Sequence, residues 1–551
     1  MEPLRVLPLG GLGEFGNNMM LIEYGASVVA IDCGLMFPGM DLLGVDLVIP
    51  DVSYLTDGKK DLLAIVLTHA HEDHIGALPY VLKQTPATVY GTPLTLALLR
   101  HKLREHGLEK QTDLREISPG EPWELGPFKI RGIPVTHSLL NCVALAIETP
   151  VGMVIHTGDF KIDHTPMDGE SFDFQSFAGY GDKGVLLLLS DSTNVERPGH
   201  TPSERVVGHN LETLFQGSKG RIFVATFSSH IPRIQQVAEL AERTGRTLIL
   251  SGRSMLNNAR TVADLGRLRL PDGTLTESEH WQDLPAERTV FLTTGSQGEP
   301  LSVLHRAALN DHKWIKIGDG DTVILSAKFI PGNEKTIGNL INHLYRRGAE
   351  VHYQGVSEVH VSGHASQEEL KTMLQLTRPR YFVPIHGEYR HLLKHLQLAQ
   401  GVGIPEQNCF LLENGAVLEL TPDNARRGEP IGVGKVFVDG KGVGDVEDVV
   451  IRDRRHLSED GMVLAVMAIH QQSGDLVAGP DLISRGFVRA EESEEILERA
   501  KGLLLESLSA FSRELRTDPT ELKEEVRKIL RRYFNKSLGR RPVVLPLIVE
   551  M

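Results

Sequence analysis

The segment that most limits what this chain can become runs Leu62-Leu63-Ala64-Ile65-Val66-Leu67-Thr68-His69-Ala70-His71-Glu72-Asp73-His74. Its apolar half reads as a buried strand, and four metal-ligating side chains follow within six residues. In extended geometry His69 and His71 point to one side and can aim at one ion. Asp73 and His74, where the next helix begins, can aim at a neighbouring one. Imidazole and carboxylate together suit zinc or manganese rather than calcium, which prefers all-oxygen shells. Histidine pairs in loops are common, so a lone HxH says little, whereas HxHxDH behind a strand points to metal. Cys33, Cys142 and Cys409 stand far apart and outside any CxxC spacing, which argues against a disulfide framework and a thiolate zinc site.

Around this segment the first 160 residues read as short strands separated by glycine turns: Leu4 to Leu9, Asn18 to Tyr24, Ser27 to Cys33, Ala64 to Leu67, Phe128 to Pro134, Val143 to Thr149 and Met153 to His156. Helical periodicity appears at His74 to Lys83 and Pro93 to His106. Sheet layers with outer helices follow from this mixture. From about residue 206 the rhythm becomes strand, small-residue loop, helix. Ile222 to Thr226 leads to Phe227-Ser228-Ser229-His230, and Thr247 to Leu250 leads to Ser251-Gly252-Arg253-Ser254. Thr289 to Thr294 leads to Gly295-Ser296-Gln297-Gly298-Glu299, and Thr322 to Leu325 leads to Pro331-Gly332-Asn333-Glu334. Such units build a doubly wound parallel sheet whose ligand-facing loops lie at the strand C-terminal ends. Strand-like Val359-His360-Val361 and Tyr381 to Ile385 resume the first pattern, and Thr421 to Glu429 reads as a polar linker. The tail from about 448 reads as strands near Met462 to Ala468, Ile483 to Val488 and Val543 to Val549, with helices from Glu492 to Leu515 and Thr520 to Phe534. Asp518 before Pro519, with Glu521 three residues on, marks a helix start.

A two-ion site needs more ligands, and later strand ends offer them. His137 can complete the first ion, Asp159 can bridge both, and His386 can close the second; His156 reads as a core or supporting residue.

His69 to His74, His137, Asp159 and His386 match the ligand pattern of the metallo-β-lactamase fold, and the gap between Asp159 and His386, 227 positions apart, resembles an inserted β-CASP domain. Nearly the whole chain resembles the bacterial ribonuclease J family. Supporting motifs are Gly10-Gly11-Leu12-Gly13-Glu14-Phe15-Gly16-Asn17-Asn18, then Ser190-Asp191-Ser192-Thr193-Asn194, which resembles motif A. Ser362-Gly363-His364-Ala365-Ser366 resembles motif B, and His386 stands as motif C, where histidine rather than valine resembles the RNA-processing branch. The resemblance implies an αββα metallo-β-lactamase sandwich split as 1–205 and 359–420, a doubly wound β-CASP domain at 206–358, a linker at 421–447 and a small C-terminal α/β domain at 448–551.

It also implies two divalent ions, zinc ahead of manganese. His69, His71, His137 and Asp159 would hold one, and Asp73, His74, Asp159 and His386 the other. Asp73, His364 and Asp191 are the candidate catalytic groups, Asp191 orienting a ligand imidazole and His364 protonating the leaving oxygen or steadying the phosphate. The Ser366 to Glu369 capping box starts a helix whose free amides favour phosphate, which brings Ala365 and Ser366 into substrate binding. By resemblance Ser228, Ser229 and His230 lie near a pocket for a terminal 5′ phosphate, and Asn333 faces the same cleft. The activity implied is 5′-to-3′ exonucleolytic, with some endonucleolytic cleavage, on single-stranded RNA in rRNA processing and mRNA decay, with a preference for a 5′ monophosphate end. A homodimer or homotetramer, associating with other RNA-decay proteins, is expected. A thioester or lactam hydrolase is the competing reading, disfavoured because such enzymes need no large insert; a silent RNA-binding scaffold is disfavoured by the intact ligand set.

Charge sharpens the substrate expectation. Lys and Arg number 58 against 72 Asp and Glu, a net −14, which argues against indiscriminate nucleic-acid binding but not against a local basic groove. Residues 219 to 260 carry Lys219, Arg221, Arg233, Arg243, Arg246, Arg253 and Arg260 against Glu239 and Glu242. No run of about 18 uncharged apolar residues and no secretory leader appear, so a cytoplasmic protein without membrane attachment is expected.

Overall fold

The apolar runs at the start of the chain sort into two sheets packed face to face. The computed structural model describes all residues except 1, 40, 278–280, 331–332, 441, 445, 447 and 488–489. One sheet has the spatial order Ala425–Arg427, Leu418–Leu420, Leu4–Gly10, Met19–Tyr24, Ser27–Ile31, Asp61–Val66, Val89–Gly91, Leu114–Glu116. The other runs Tyr381–Ile385, Leu187–Asp191, Met153–His156, Val143–Glu148, Phe128–Pro134, Pro122–Leu125. Leu4, Ile22 and Val66 from one and Ile130, Leu145 and Val383 from the other close a single buried core. Helices Pro93–Glu105 and Tyr389–Gly401 pack on the outer faces, which gives the expected αββα sandwich.

Strand direction in the second sheet creates the site. Met153–His156, Leu187–Asp191 and Tyr381–Ile385 pair in parallel. Phe128–Pro134 shares their direction, because it and Met153–His156 both run antiparallel to Val143–Glu148. All four therefore end at one edge.

The insert is a six-stranded parallel sheet in the order Leu275–Thr276, Thr247–Ser251, Thr289–Thr293, Ile222–Ala225, Thr322–Leu325, Glu350–Tyr353. Phe223 stacks on Phe291 at 4.6 Å in its core. After the neighbouring strands Ile222–Ala225 and Thr322–Leu325 the chain departs in opposite directions: helix Ile231–Arg243 leads to Thr247–Ser251, and helix Glu334–Arg346 to Glu350–Tyr353. Between two such strands the C-terminal edge opens a crevice, the usual ligand position of a doubly wound sheet. Asn333 lies at the start of Glu334–Arg346, whereas Pro331 and Gly332 lie outside the described residues.

Several expectations change. The helical stretch at His74 to Lys83 is two short helices, Glu72–Ile75 and Leu78–Gln84. Val359 to Val361 forms no strand: the Val359 carbonyl accepts from Ser326 Oγ at 2.7 Å and from Arg233 Nη1 at 2.7 Å, so it is spent on side chains rather than on a ladder. The stretch read as a linker carries strand Ala425–Arg427, which extends the first sheet by pairing with Leu418–Leu420.

The chain divides into two compact units, Met1–Phe37 with Leu47–Val436, and Pro38–Asp46 with Phe437–Met551. In the second, Met462–Ile469 pairs antiparallel with Leu476–Arg485 and parallel with Val543–Glu550. The strand read at Ile483 to Val488 thus begins at Leu476, and Val488 lies outside the described residues. Helices Ala490–Ala510 and Pro519–Leu538 contribute Leu504, Val526 and Phe534 to its core. Asp518 caps the latter, accepting from the amides of Thr520 and Glu521.

Candidate metal centre

The edge where the four like-directed strands end carries His137, Asp159, Asp191 and His386, and the loop after Asp61–Val66 brings His69 to His74 against them. The approach is close. A Cβ at Gly34 would fall 1.6 Å from the Asp73 carbonyl oxygen, and one at Gly363 would fall 2.7 Å from His137 Cε1, so neither position admits a side chain without displacing the site. His386 turns away from its strand at φ 56°, a costly conformation for a non-glycine residue that persists only where surroundings enforce it.

The expected ligands gather in two groups that share Asp159: His69, His71, His137 and Asp159, and Asp73, His74, Asp159 and His386. His71 Nδ1 lies 3.0 Å from His69 Nε2 and 3.1 Å from His137 Nε2. Asp159 Oδ2 lies 3.7 Å from His69 Nε2, 3.8 Å from His137 Nε2 and 3.2 Å from His74 Nε2, while its Oδ1 is 3.0 Å from His386 Nδ1. His386 Nε2 is 3.3 Å from Asp73 Oδ2. His156 is buried beside this arrangement with Nδ1 accepting from the Gly158 amide.

Hydrogen bonds on the far side of each ring show whether the set fits a cation. The Thr68 hydroxyl donates to Asp32 Oδ2 at 2.8 Å and so accepts from His69 Nδ1 at 3.0 Å. His137 Nδ1 donates to the Gly363 carbonyl at 2.7 Å, and His74 Nδ1 to Asp32 Oδ2 at 2.8 Å. The Nε2 lone pairs of His69 and His137 therefore face inward, and His74 turns its Nε2 the same way. Burial holds His69 and His137 well below the ordinary imidazole range and takes His71 down to about 4. Neutral His71 has at most one proton to offer two facing lone pairs, so the group is short of donors, as a metal site should be. In the second group burial opposes charge on His74 and His386, but Asp159, Asp73 and Asp32 around the first, and Asp159, Asp191 and Asp73 around the second, hold both well above 6.5. Burial also opposes charge on Asp159, yet His386, His74 and His364 keep it ionised well below the usual carboxylate range. These residues fit divalent metal.

Asp191 turns mainly to another histidine. Its Oδ2 accepts from His364 Nδ1 at 2.8 Å, its Oδ1 accepts from the Thr193 amide and hydroxyl at 2.9 and 2.7 Å, and His386 Nδ1 stands 3.4 Å away. Asp159, Asp191, His364 and His386 meet ligand spacing as a third group, so His364 sits beside the centre.

Four family descriptions match successive parts of the chain: Metallo-beta-lactamase superfamily over residues 12–218, Ribonuclease J, beta-CASP domain over 219–344, Zn-dependent metallo-hydrolase RNA specificity domain over 348–411, and Ribonuclease J C-terminal domain over 449–551. Ribonuclease J 1 of Streptococcus pyogenes is 41% identical over 544 residues, 99% of this chain and 97% of its own length. The chain belongs to the ribonuclease J family. Ribonuclease J of Thermus thermophilus is 42% identical, with 100% of this chain and 96% of its own covered, and Ribonuclease J2 of Bacillus subtilis is 38% identical, with 100% and 99% covered. A crystal structure of an Enterococcus faecalis protein of unknown function shares the fold at a TM-score of 0.53 and 18% identity, covering 76% of this chain and 100% of its own.

In this ribonuclease J chain two of the substrate-side expectations, the free amides at the helix start and His230, meet groups already engaged. The amides at the helix start after His364 are not free: Ala365 N donates to Phe160 O at 2.6 Å, Ser366 N to Glu369 Oε2 at 2.8 Å, Gln367 N to Arg197 O at 3.0 Å and Glu368 N to Gly199 O at 3.1 Å. Ser366 Oγ is engaged with Thr201 Oγ1 at 2.8 Å. Ala365 and Ser366 thus build the loop and have no donor left for a phosphate. His230 is buried, accepting from the Arg233 amide through Nδ1 and facing Glu204 Oε1 through Nε2 at 3.4 Å, a carboxylate rather than an open pocket. Ser228 and Ser229 are half-buried at the crevice, Ser228 Oγ accepting from Asn258 Nδ2 at 3.3 Å, and the Asn333 side chain caps no helix amide. The basic stretch is largely spent internally: Arg221 pairs with Asp321, Arg233 with Glu204, Arg243 with Glu212, and Arg246 donates to the carbonyls of Gly220 and Ser218.

Some residues that build the site had no role in it assigned from sequence. Asp32 holds His74 and Thr68, Asn18 donates to the Asp73 carbonyl at 2.9 Å, and Glu369 accepts from Ile162 N, Thr201 N and Ser366 N, tying the segment after Asp159 to the loop of His364. Asp32 had a readable signal, an acid at the end of the apolar run Ser27 to Ile31; Glu369 reads only as a helix cap.

Proposed function

We propose that this ribonuclease J chain hydrolyses single-stranded RNA with two divalent ions, zinc or manganese, removing nucleotides from the 5′ end and also cutting internally. One observation carries the reading: two donor groups share Asp159 at a sheet edge whose other residents, His364 and Asp191, are not needed to hold metal. His69, His71, His137 and Asp159 would take one ion, and Asp73, His74, Asp159 and His386 the other. Bound there, the ions supply an activated water at neutral pH and offset the charge building on the phosphate. The chain's own groups do the rest. Asp32, Thr68 and the Gly363 carbonyl fix the ring orientations that keep Nε2 inward. Asp191, ionised well below the usual carboxylate range because His364 and His386 outweigh its burial, accepts the Nδ1 proton of His364. His364 is then held with Nε2 available to give a proton to the departing oxygen. Assembly as a homodimer or homotetramer in the cytoplasm, with other RNA-decay proteins as partners, completes the proposal.

The test removes metal with a chelator, confirms the loss by elemental analysis, and restores zinc or manganese separately while following a labelled single-stranded RNA. Cleavage should vanish and return with ion content approaching two per chain. Full activity in the stripped protein, or recovery at one ion per chain, would overturn the two-ion reading.

A further inference from the structure

The last long helix of the C-terminal unit, Pro519–Leu538, ends in charge of one sign. From Arg527 to Arg541 the chain carries seven Lys and Arg and no Asp or Glu, in a protein of net charge −14. Leu522, Val526, Leu530 and Phe534 turn one face into the core, which sends the residues opposite them to solvent. Two of the seven cations are answered locally, Arg527 by Glu524 and Lys528 by Glu525. Lys536 sits in the last turn, where a cation complements the helix dipole. That effect fades within a turn, so it gives no reason for Arg531 and Arg532, which are exposed and have no ion pair among the described residues. Past the helix, Gly539 takes a left-handed conformation at φ 68° and donates to the Asn535 carbonyl at 3.0 Å, which turns the chain back. Arg541 Nε then donates to Asn535 Oδ1 at 3.2 Å. Asn535 follows Arg531 by four residues and Arg532 by three, so it shares their face, and Arg541 is moored beside both. The strip repels itself: Arg527 and Arg531, Lys528 and Arg532, and Arg532 and Lys536 each stand four apart, a spacing at which like charges destabilise a helix.

We infer that Arg531, Arg532, Lys536 and Arg541 form a second contact with the RNA backbone, on the C-terminal unit, that holds phosphates of a strand whose scissile bond lies at the metal edge. The inference rests on the ribonuclease reading and adds a length dependence to it. An unpartnered group of cations loses its repulsion when a polyanion arrives. Three of the four are arginines, whose planar fork matches phosphate oxygens two at a time. A protein acidic overall repels a polyanion except where such a group stands exposed. A long strand can meet this surface and the metal edge at once, so that making one contact raises the effective concentration for the other. A strand of a few nucleotides can make only one of the two.

The test compares the metal-loaded full chain with two double variants, Arg531→Gln with Arg532→Gln and Arg531→Lys with Arg532→Lys. Each is assayed on single-stranded RNA of a few nucleotides and on one many times longer, across a salt series. On the long RNA the Gln pair should raise KM about 3- to 10-fold at unchanged kcat and flatten the log–log salt dependence by ~1.4, the loss of two phosphate contacts on a single strand. On the short RNA it should change neither quantity. The Lys pair, which keeps the charge, should keep the salt slope of the unaltered enzyme. An unchanged KM and slope on the long RNA overturn the inference, and do so equally if the Gln pair instead loses binding to vesicles of anionic lipid, which would make the strip a membrane contact. Equal losses on both lengths overturn it as well, since they mean damage at the metal edge and no second contact. Failure of the unaltered enzyme to cut RNA overturns the ribonuclease reading instead.

Discussion

Asp159 joins both donor groups through its two oxygens, so removing its carboxylate leaves two dications facing each other uncompensated. Asp159→Ala should stay folded, lose bound metal and lose RNA cleavage; a variant that held two ions per chain and cut normally would show the bridge to be misassigned. His364 stands outside the two groups that take His69, His71 and His137 or Asp73 and His74, and Asp191 accepts the hydrogen of its Nδ1. His364→Ala should retain metal while turnover falls ~10²-fold to 10⁴-fold, the range for losing an acid–base group, and loss of an ion would make it a ligand. The metal-free centre is also charged in a measurable way. Carboxylates hold His74 and His386 above 6.5, so both carry protons at neutral pH and must surrender them on ligation. Zinc uptake at pH 7 should release protons, and the binding heat measured by calorimetry should vary with the ionisation enthalpy of the buffer. Heats independent of the buffer would contradict the raised values.

The strands were legible in sequence because apolar runs between glycine turns leave little alternative, and so was the gathering of the expected site residues, since each follows such a run: His69 after Asp61–Val66, His137 after Phe128–Pro134, Asp159 after Met153–His156 and His386 after Tyr381–Ile385. Partners contributed from a distance were not. The helix start at Ser366 looked like an anion site because a capping box implies spare amides, yet Phe160, Arg197 and Gly199 supply acceptors from 160 or more residues away. Val359 to Val361 looked like a strand because it is apolar, but Arg233 claims its carbonyl. That arginine belongs to a buried network. Its Nη2 donates to Glu204 Oε2 at 2.6 Å, and Lys161 Nζ, two residues after Asp159, lies 3.7 Å from Glu204 Oε1 and 3.7 Å from Asp163. Both cations and the carboxylate are buried, so Glu204→Gln strands charge in the interior and should cost ~3–5 kcal/mol in denaturant unfolding. The exposed pair Arg267–Glu170 gives the contrast, since Arg267→Ala should cost at most about 1 kcal/mol. Equal effects would mean that the network is not desolvated as its burial implies.

At the scale of the whole molecule, the division into sandwich, parallel insert and C-terminal unit could be read from changes of rhythm, whereas the capture of Pro38–Asp46 by the C-terminal unit could not, because nothing in those nine residues marks it. The joining of sandwich and insert within one unit sets the last prediction. The donor groups able to hold metal stand at the sandwich edge, while Ser228, Ser229 and Asn333 lie at the strand ends of the insert, where a doubly wound sheet favours phosphate. If those loops receive a terminal phosphate, the first internucleotide bond falls over the ions and the enzyme releases nucleoside 5′-monophosphates. A 5′ hydroxyl forfeits the charge-assisted contacts, and a triphosphate brings bulk and charge for which hydroxyl and amide groups provide no counter-ion. Three otherwise identical labelled RNAs should therefore be digested in the order monophosphate fastest, with triphosphate and hydroxyl slower, and Ser228→Ala combined with Asn333→Ala should narrow the difference while leaving internal cleavage in place. Equal rates on all three ends, or products carrying 3′ phosphates, would detach the insert from end recognition and leave the metal edge acting on RNA without regard to its terminus.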